Sequence, residues 1–202
     1  MSLYPKIARL TVAALLLAPA LSACSPTVVM TDEGAAADAA PSPGAPMSTL
    51  RPNNANLVNA FDFYGEAAGH PGYFFTSPSG AWRCLITPHQ QAGCQSAKST
   101  TRLGITGAPD TVTDPDGTEV VPNTLLIAST GDAHFARLDT AEAKPAQGPA
   151  PTLQFGKILA AAGFRCNVQD LGISCMSEDS GQGFTFSADG YLPSYTDLPA
   201  AS

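Results

Sequence analysis

Short runs of apolar and β-branched residues, broken every few positions by Gly, Pro, Asn or Asp, occupy the chain from Tyr73 onward. The separators, such as Asp114-Pro115-Asp116-Gly117, supply the fixed or positive φ that tight turns need. Regularly broken short runs of this kind are typical of all-β domains. We therefore predict an all-β, mainly antiparallel fold. The predicted strands are Tyr73–Ser77, Ala81–Ile86, Ala92–Ser96, Thr111–Thr113, Thr118–Val121, Thr124–Ser129, His134–Leu138, Gly163–Val168, Ile173–Ser177 and Phe184–Ser187.

Two segments depart from this pattern. Between Leu57 and Ala68 the apolar residues at positions 57, 58, 61 and 64 follow helical spacing, and the asparagines before them offer N-caps. This predicts one short N-terminal helix. Residues 140–151, Thr-Ala-Glu-Ala-Lys-Pro-Ala-Gln-Gly-Pro-Ala-Pro, predict an exposed loop that divides the domain into two unequal parts.

The first 23 residues have the pattern of an export signal. Lys6 and Arg9 precede a short apolar run from Leu10 to Ala20. At about 1.5 Å per residue, a helix of this run is too short for a hydrocarbon core of roughly 30 Å. A basic start, a short apolar stretch and small residues at its end are typical of secretory signal peptides. We predict that residues 1–23 are a signal peptide.

The end of this segment, Leu21-Ser22-Ala23-Cys24, resembles the lipobox of bacterial lipoproteins. The resemblance implies cleavage before Cys24, whose sulfur then carries a diacylglyceryl group. Two acyl chains hold a protein durably on a membrane, whereas one chain does not. The predicted location is therefore the extracytoplasmic face of the cell membrane, with the membrane as a partner through the lipid anchor. An ordinary signal peptide with a chance cysteine, or a short uncleaved anchor, is the alternative.

Residues 24–55 predict a lipidated cysteine followed by a disordered tether. The segment is rich in Ala, Pro, Ser, Thr and Asn and lacks aromatic residues, so it cannot bury enough surface to offset the entropy of ordering. The β-rich disulfide domain is predicted over residues 56–199.

The chain is acidic, with 10 Lys and Arg against 17 Asp and Glu and a net charge of −7. Removal of residues 1–23 takes away Lys6 and Arg9 and no carboxylate, which leaves 8 − 17 = −9. A chain with this balance has no large basic surface, so nucleic acid is not among the predicted partners. An acidic domain is also repelled by an anionic membrane leaflet.

Four cysteines remain besides Cys24, and an even number in an exported chain favours disulfides. Strand alternation turns each of them toward the same side as the large apolar residues. We favour pairing between sequence neighbours, which would staple two hairpins across adjacent strands; the two crossed pairings stay open. The spacings fit neither a redox Cys-x-x-Cys motif nor a zinc site. The favoured pairs are Cys84–Cys94 and Cys166–Cys175.

Two stretches carry a resemblance to a known family. The first is Phe75-Thr76-Ser77-Pro78-Ser79-Gly80-Ala81-Trp82-Arg83-Cys84, followed by Ala92-Gly93-Cys94. The second is Leu153-Gln154-Phe155-Gly156, then Gly163-Phe164-Arg165-Cys166, Gly172-Ile173-Ser174-Cys175 and Gly181-Gln182-Gly183-Phe184-Thr185-Phe186-Ser187. Together they resemble a domain of unknown function from secreted proteins and lipoproteins of mycobacteria and related actinobacteria. The resemblance implies export, a four-cysteine framework and a small β-rich fold. The chain departs from the family pattern at Ala81 and Trp82, where Asn and Ile are usual. The resemblance implies no activity.

Catalytic and metal-binding patterns are weak in this sequence. The histidines His70, His89 and His134 lie in two turn contexts and one strand, and Ser79 lacks the nucleophile elbow of a serine hydrolase. Asp114 and Asp116 are the weak metal candidates; with Asp110 and Glu119 they would have to gather around a cation, yet an ordinary hairpin turn explains them. No metal and no cofactor is predicted.

Trp82 and Tyr73 are the weak candidates for ligand binding, because they could line a groove, although a lone Trp beside a disulfide strand more often packs against the bridge. We expect a non-catalytic binding or interaction module of the cell envelope, whose partner would be an envelope protein or a cell-wall component. An envelope hydrolase and a carrier of an apolar ligand are the alternatives.

Overall fold

The computed structural model describes residues 53–98, 101–139 and 141–199. The predicted signal peptide, Cys24 and nearly all of the predicted tether lie outside the described residues. Within them, no helix has the length and apolarity needed to cross a membrane. The elements are one 3-10 turn, Ala60–Phe63, and the strands β1 Tyr64–Ala67, β2 His70–Thr76, β3 Trp82–Thr87, β4 Gln91–Ser96, β5 Val112–Thr113, β6 Glu119–Val120, β7 Thr124–Ala128, β8 His134–Ala136, β9 Ile158–Ala161, β10 Phe164–Gln169, β11 Gly172–Ser177, β12 Gly183–Ser187 and β13 Gly190–Leu192.

The strands form two larger antiparallel sheets, each built mainly from sequence neighbours. Sheet 1 has the order β1-β2-β3-β4-β7-β8, and sheet 2 has the order β13-β12-β11-β10-β9. The small hairpin β5–β6 is inserted between β4 and β7 and forms a separate two-stranded sheet. The predicted all-β, mainly antiparallel architecture is confirmed.

The inner faces of the two sheets share one apolar core. Sheet 1 contributes Phe75, Ile86 and Leu125, and sheet 2 contributes Phe164 and Phe184, all fully buried. Alternation along each strand explains the selection, because every second side chain points to the same face. The structure is therefore a sandwich of two antiparallel sheets with a shared interior.

Both disulfides lie in this core. The structure joins Cys84 to Cys94 and Cys166 to Cys175, the pairing that the strand geometry favoured. Each pair stands directly opposite across neighbouring strands, β3–β4 in sheet 1 and β10–β11 in sheet 2. All four cysteines are fully buried. Each sheet is thus stapled at its own central hairpin.

The predicted helix over residues 57–68 is wrong. Only Ala60–Phe63 is helical, as a 3-10 turn, and the chain continues directly into strand β1. Asn59 caps this turn by accepting the backbone N–H of Phe61 at 3.2 Å. The reason is tertiary: β1 pairs with β2, and Leu57 forms a parallel bridge to Ile158 of β9, so edge pairing outweighs the helical spacing.

The segment after β8 is only partly the exposed loop that was predicted. Residues 141–150 form turns, yet Ala143 is buried against Phe74 and Leu85 on the outer face of sheet 1. The predicted strands also omit β9 and β13, which are short and form the two edges of sheet 2.

Removal of one disulfide tests how much each bridge contributes to the stability of the fold. Replacing Cys166 and Cys175 together with alanine should lower the free energy of unfolding by roughly 2–4 kcal/mol, because the bridge closes a short loop in the unfolded chain and fills the core. The measurement is urea unfolding followed by the emission of Trp82, the single tryptophan of the chain.

The control for this test is the corresponding double replacement of Cys84 and Cys94, which should cost a similar amount. Peptide mapping without reduction should recover the remaining bridge in each variant. A double variant whose remaining disulfide is intact, but which unfolds at the same urea concentration as the wild type, would show that the removed bridge does not stabilise the fold.

Candidate functional site

Two adjoining grooves open at one end of the sandwich. They have volumes of about 450 Å³ and about 150 Å³, and both are lined by Phe155, Gln169 and Asp170. We call them together the end groove. The larger part is also lined by Asn56, Gly156, Leu171, Leu198 and Pro199, and the smaller part by Ser77, Pro78, Ser79, Trp82, Val168, Gly172, Ile173, Ser187 and Ala188.

Two large apolar side chains stand exposed on the rim of the end groove. Leu171 is 74% exposed and lies in the tight turn between β10 and β11, where polar residues or glycine are the usual choice. Phe155 is 54% exposed and lies in the turn before β9, which is fixed by a hydrogen bond from the Gly156 N–H to the Val168 carbonyl at 2.8 Å. Neighbouring exposed apolar side chains beside a groove are characteristic of an interaction site.

Trp82 forms the inner wall of the smaller part. It is the first residue of β3, on the inner face with Cys84, and its ring meets the ring of Phe186 edge-on at a centroid distance of 4.9 Å. The backbone N–H of Trp82 donates to Ser77 Oγ at 3.2 Å, which fixes the preceding turn. The indole is therefore part core and part groove wall.

The C-terminal segment 193–199 supplies Leu198 and Pro199 to the larger part. It crosses the outer face of sheet 2 and is held at Thr196, whose carbonyl accepts from Asn167 Nδ2 at 2.9 Å and from Gln169 Nε2 at 2.7 Å. The Thr196 N–H donates to Ser174 Oγ at 2.7 Å. We call this segment the strap. Polar side chains on the sheet satisfy its backbone, so a coil segment is anchored without strand pairing.

Asn53 ties the start of the described chain to the strap. Its N–H donates to Asp197 Oδ2 at 2.7 Å, and its Nδ2 donates to the carbonyls of Leu198 and Pro199 at 3.3 and 3.2 Å. Beneath it, the nearly buried Arg165 donates to the Asn53 carbonyl at 3.1 Å and forms an ion pair with Glu178 at 3.2 Å. The chain that leads back toward Cys24 therefore joins the domain beside the end groove.

Tyr195 is the phenol of the strap, and its hydroxyl has two hydrogen-bond partners. Asn167 Nδ2 donates to its hydroxyl oxygen at 2.9 Å, and the hydroxyl donates to Asp197 Oδ1 at 3.3 Å. Burial raises the pKa of Tyr195 above its ordinary value, and the neighbouring charge of Asp197 acts in the same direction, while the bond from Asn167 opposes it.

The other predicted site residues lie elsewhere. Tyr73 packs edge-on against Tyr64, with ring centroids 5.6 Å apart, and does not line the end groove. Asp114 accepts the backbone N–H groups of Asp116 and Thr118 at 3.0 and 2.8 Å, which is the chemistry of a turn. Within the described ranges, no cluster of three or more His, Cys, Asp and Glu side chains could hold a metal.

The histidines lie away from Ser79, which lines the end groove. His89 is in the turn after β3, at the opposite end of the sandwich, where its ring and the Asp179 carboxylate flank Gly163. His70 lines a separate groove of about 330 Å³ with Glu142, on the outer face of sheet 1. His134 is exposed on β8.

Comparison with known proteins leaves the site to be interpreted from its own chemistry. No family model, curated protein or solved structure matches this chain. The resemblance to the actinobacterial domain therefore stays a prediction.

Sequence reasoning identified Trp82 but missed Phe155, Leu171 and the strap. A signal for Leu171 was present in the sequence, because a hairpin turn does not require an apolar side chain between Asp170 and Gly172. The motif Leu153-Gln154-Phe155-Gly156 contains Phe155 but does not indicate its exposure, which depends on how its turn is placed against β10.

The raised pKa of Tyr195 predicts a loss of stability in alkali. As the pH rises above about 10, the unfolded chain loses the tyrosine proton before the folded chain does, so the stability that is complete below this pH declines. Tyr195→Phe should be less stable than wild type at neutral pH, because two hydrogen bonds are lost, but its stability should fall less steeply above pH 10.

The measurement is urea unfolding by Trp82 emission from about pH 8 to about pH 11. The range below pH 9 is the internal control, because the difference in unfolding free energy between the two proteins should stay constant there. Equal alkaline slopes for the two proteins would show that the environment of Tyr195 does not favour the neutral phenol.

Proposed function

We propose that this chain is a lipid-anchored lipoprotein on the extracytoplasmic face of the cell membrane, and that its β sandwich is a non-catalytic binding module of the cell envelope. The anchor rests on the sequence Leu21-Ser22-Ala23-Cys24 and the export signal before it. The partner is an envelope protein, which meets the domain at the end groove.

The observation that carries the binding role is the exposed pair Phe155 and Leu171 at the rim of the end groove. Exposed apolar surface costs free energy in water, at roughly 25 cal/mol per Å², and a partner that covers it recovers this amount. The groove is built on turns between disulfide-stapled strands, so little order has to be gained on binding.

The composition of the groove favours binding over catalysis. A hydrolytic site brings together a nucleophile, a base and an orienting group within hydrogen-bonding distance. The described lining residues include Ser77, Ser79 and Asp170 but no histidine, lysine or cysteine. These side chains can position a ligand through hydrogen bonds while the aromatic and aliphatic walls bury it.

The anchor is tested by Cys24→Ala. The variant should lose its place in the membrane fraction and be recovered in soluble form, because the thiol that would carry the lipid is gone. The measurement is fractionation of cells with immunoblotting, together with mass analysis of the N-terminus of the wild-type protein.

The matched control for the anchor is Ser22→Ala, which keeps a small residue in the proposed processing site and should leave fractionation unchanged. Wild-type protein that begins at another residue, or a Cys24→Ala variant that stays in the membrane fraction, would contradict the anchor.

The binding role is tested by the double replacement of Phe155 and Leu171 with serine. Both side chains are largely exposed, so the unfolding free energy should change by less than about 1 kcal/mol. Crosslinking of the membrane-bound protein to a defined envelope protein should fall by at least about tenfold, because a few residues at the centre of an interface carry most of its binding energy.

The matched control for binding is Leu192→Ser, since Leu192 is 59% exposed on β13 and does not line the groove. An equal loss of crosslinking in this control, or an unchanged product in the double variant, would place the interface elsewhere.

A further inference from the structure

The end groove contains a single charged residue. Among its described lining residues, Asp170 carries a carboxylate, and no lysine, arginine or histidine lines either part. Asp170 is exposed and has no ion pair or side-chain hydrogen bond within the described ranges. An unneutralised negative charge set among apolar walls selects for a positive group on the ligand.

Aromatic rings add to this preference. Phe155 lines both parts of the groove together with Asp170, and Trp82 lines the smaller part beside them. The face of an aromatic ring attracts ammonium and guanidinium groups within about 6 Å of its centroid. A cation at the junction of the two parts therefore meets a carboxylate and an aromatic wall together.

The charge of the domain acts in the same direction. Residues 53–199 contain 7 Lys and Arg and 14 Asp and Glu, so the net charge of this part is 7 − 14 = −7. Two of the seven cations are already in ion pairs, Arg102 with Asp110 and Arg165 with Glu178. The electrostatic field of such a domain raises the rate of encounter with basic partners and lowers the rate of encounter with acidic partners.

The shape of the groove favours a polypeptide over a small molecule. Small-molecule sites bury most of the ligand in a concave pocket, whereas here Phe155 and Leu171 stand at the rim with more than half of their surfaces in water. Only a partner that extends over the rim covers both side chains. The two parts lie on either side of the shared residues Phe155 and Asp170, which suits a chain with apolar side chains flanking a cation.

Building on the proposed binding role, we propose that the end groove binds a segment of a partner protein in which a lysine or arginine is flanked by apolar side chains. The cation lies at Asp170 against the aromatic wall, and the flanking side chains cover Leu171 on one side and Trp82 on the other.

The experiment is a titration of the full chain with short peptides, followed by the emission of Trp82, the single tryptophan. The probe is acetyl-Leu-Lys-Leu-amide; its comparators replace the lysine with glutamate or both leucines with serine. Hexyltrimethylammonium serves as a small cation. The lysine peptide should bind at least about tenfold more tightly than the glutamate peptide, and its affinity should fall as salt is raised.

Asp170→Asn should lower the affinity for the lysine peptide by about fivefold, as expected for an exposed charge beside an aromatic ring. It should also narrow the difference in affinity between the lysine and glutamate peptides. The matched control is Asp116→Asn, since Asp116 lies in the turn of the β5–β6 hairpin and does not line the groove. It should leave both affinities unchanged. Urea unfolding of each variant establishes that the fold is intact.

Equal affinity for the lysine and glutamate peptides, equal effects of the two asparagine variants, or binding of hexyltrimethylammonium without binding of the lysine peptide would each overturn this inference. The proposed binding role fails separately. If crosslinking through the Phe155 and Leu171 rim persists with a partner segment that is neutral or acidic, the binding role stands and only the basic specificity is wrong.

Discussion

The two disulfides between directly opposed cysteines are the constraint on which the rest of the structure depends. Because Cys84 faces Cys94 and Cys166 faces Cys175, each central hairpin is locked in one register, with Cα atoms 4.0 and 4.1 Å apart. A slip by one residue would turn every inner side chain to the outer face. The register also places Trp82, two residues before Cys84, at the end of the core, where an inner-face side chain becomes a groove wall. The staple therefore positions the site as well as the core.

The outer face of sheet 2 is stabilised by hydrogen bonds and not by apolar packing. Its side chains Asn167, Ser174 and Thr185 are polar yet almost fully buried, which would be costly without partners. The strap supplies these partners, and Thr196 alone interacts with all three. A polar sheet face and a coil segment thus stabilise each other. This arrangement carries Leu198 and Pro199 to the end groove and joins them to Asn53, so the site and the start of the domain form one connected region.

Strands and disulfides could be predicted from sequence because their signals are local. Turn residues separate the strands, and alternation around Cys84 and Cys166 shows which side chains share a face. The failures have a common physical cause, since each depends on contacts with residues outside the segment itself. Residues 57–68 follow helical spacing, but their conformation is decided by pairing with β2 and β9. The strap has neither a run of apolar residues nor a period, and its order comes from polar side chains on the strands of sheet 2.

The same distinction explains why the site was harder to predict than the fold. Trp82 could be identified because a single tryptophan next to a cysteine strand is conspicuous, whereas the groove depends on which turns meet at the end of the sandwich. Turns tolerate almost any side chain that suits their backbone, so an apolar residue such as Leu171 is not required by the fold. Its exposure lowers solubility and adds nothing to the core, and a partner surface gives it a physical reason to be there. In a small stapled sandwich the core residues are constrained by packing, and the freedom to acquire a binding surface lies in the turns at its ends.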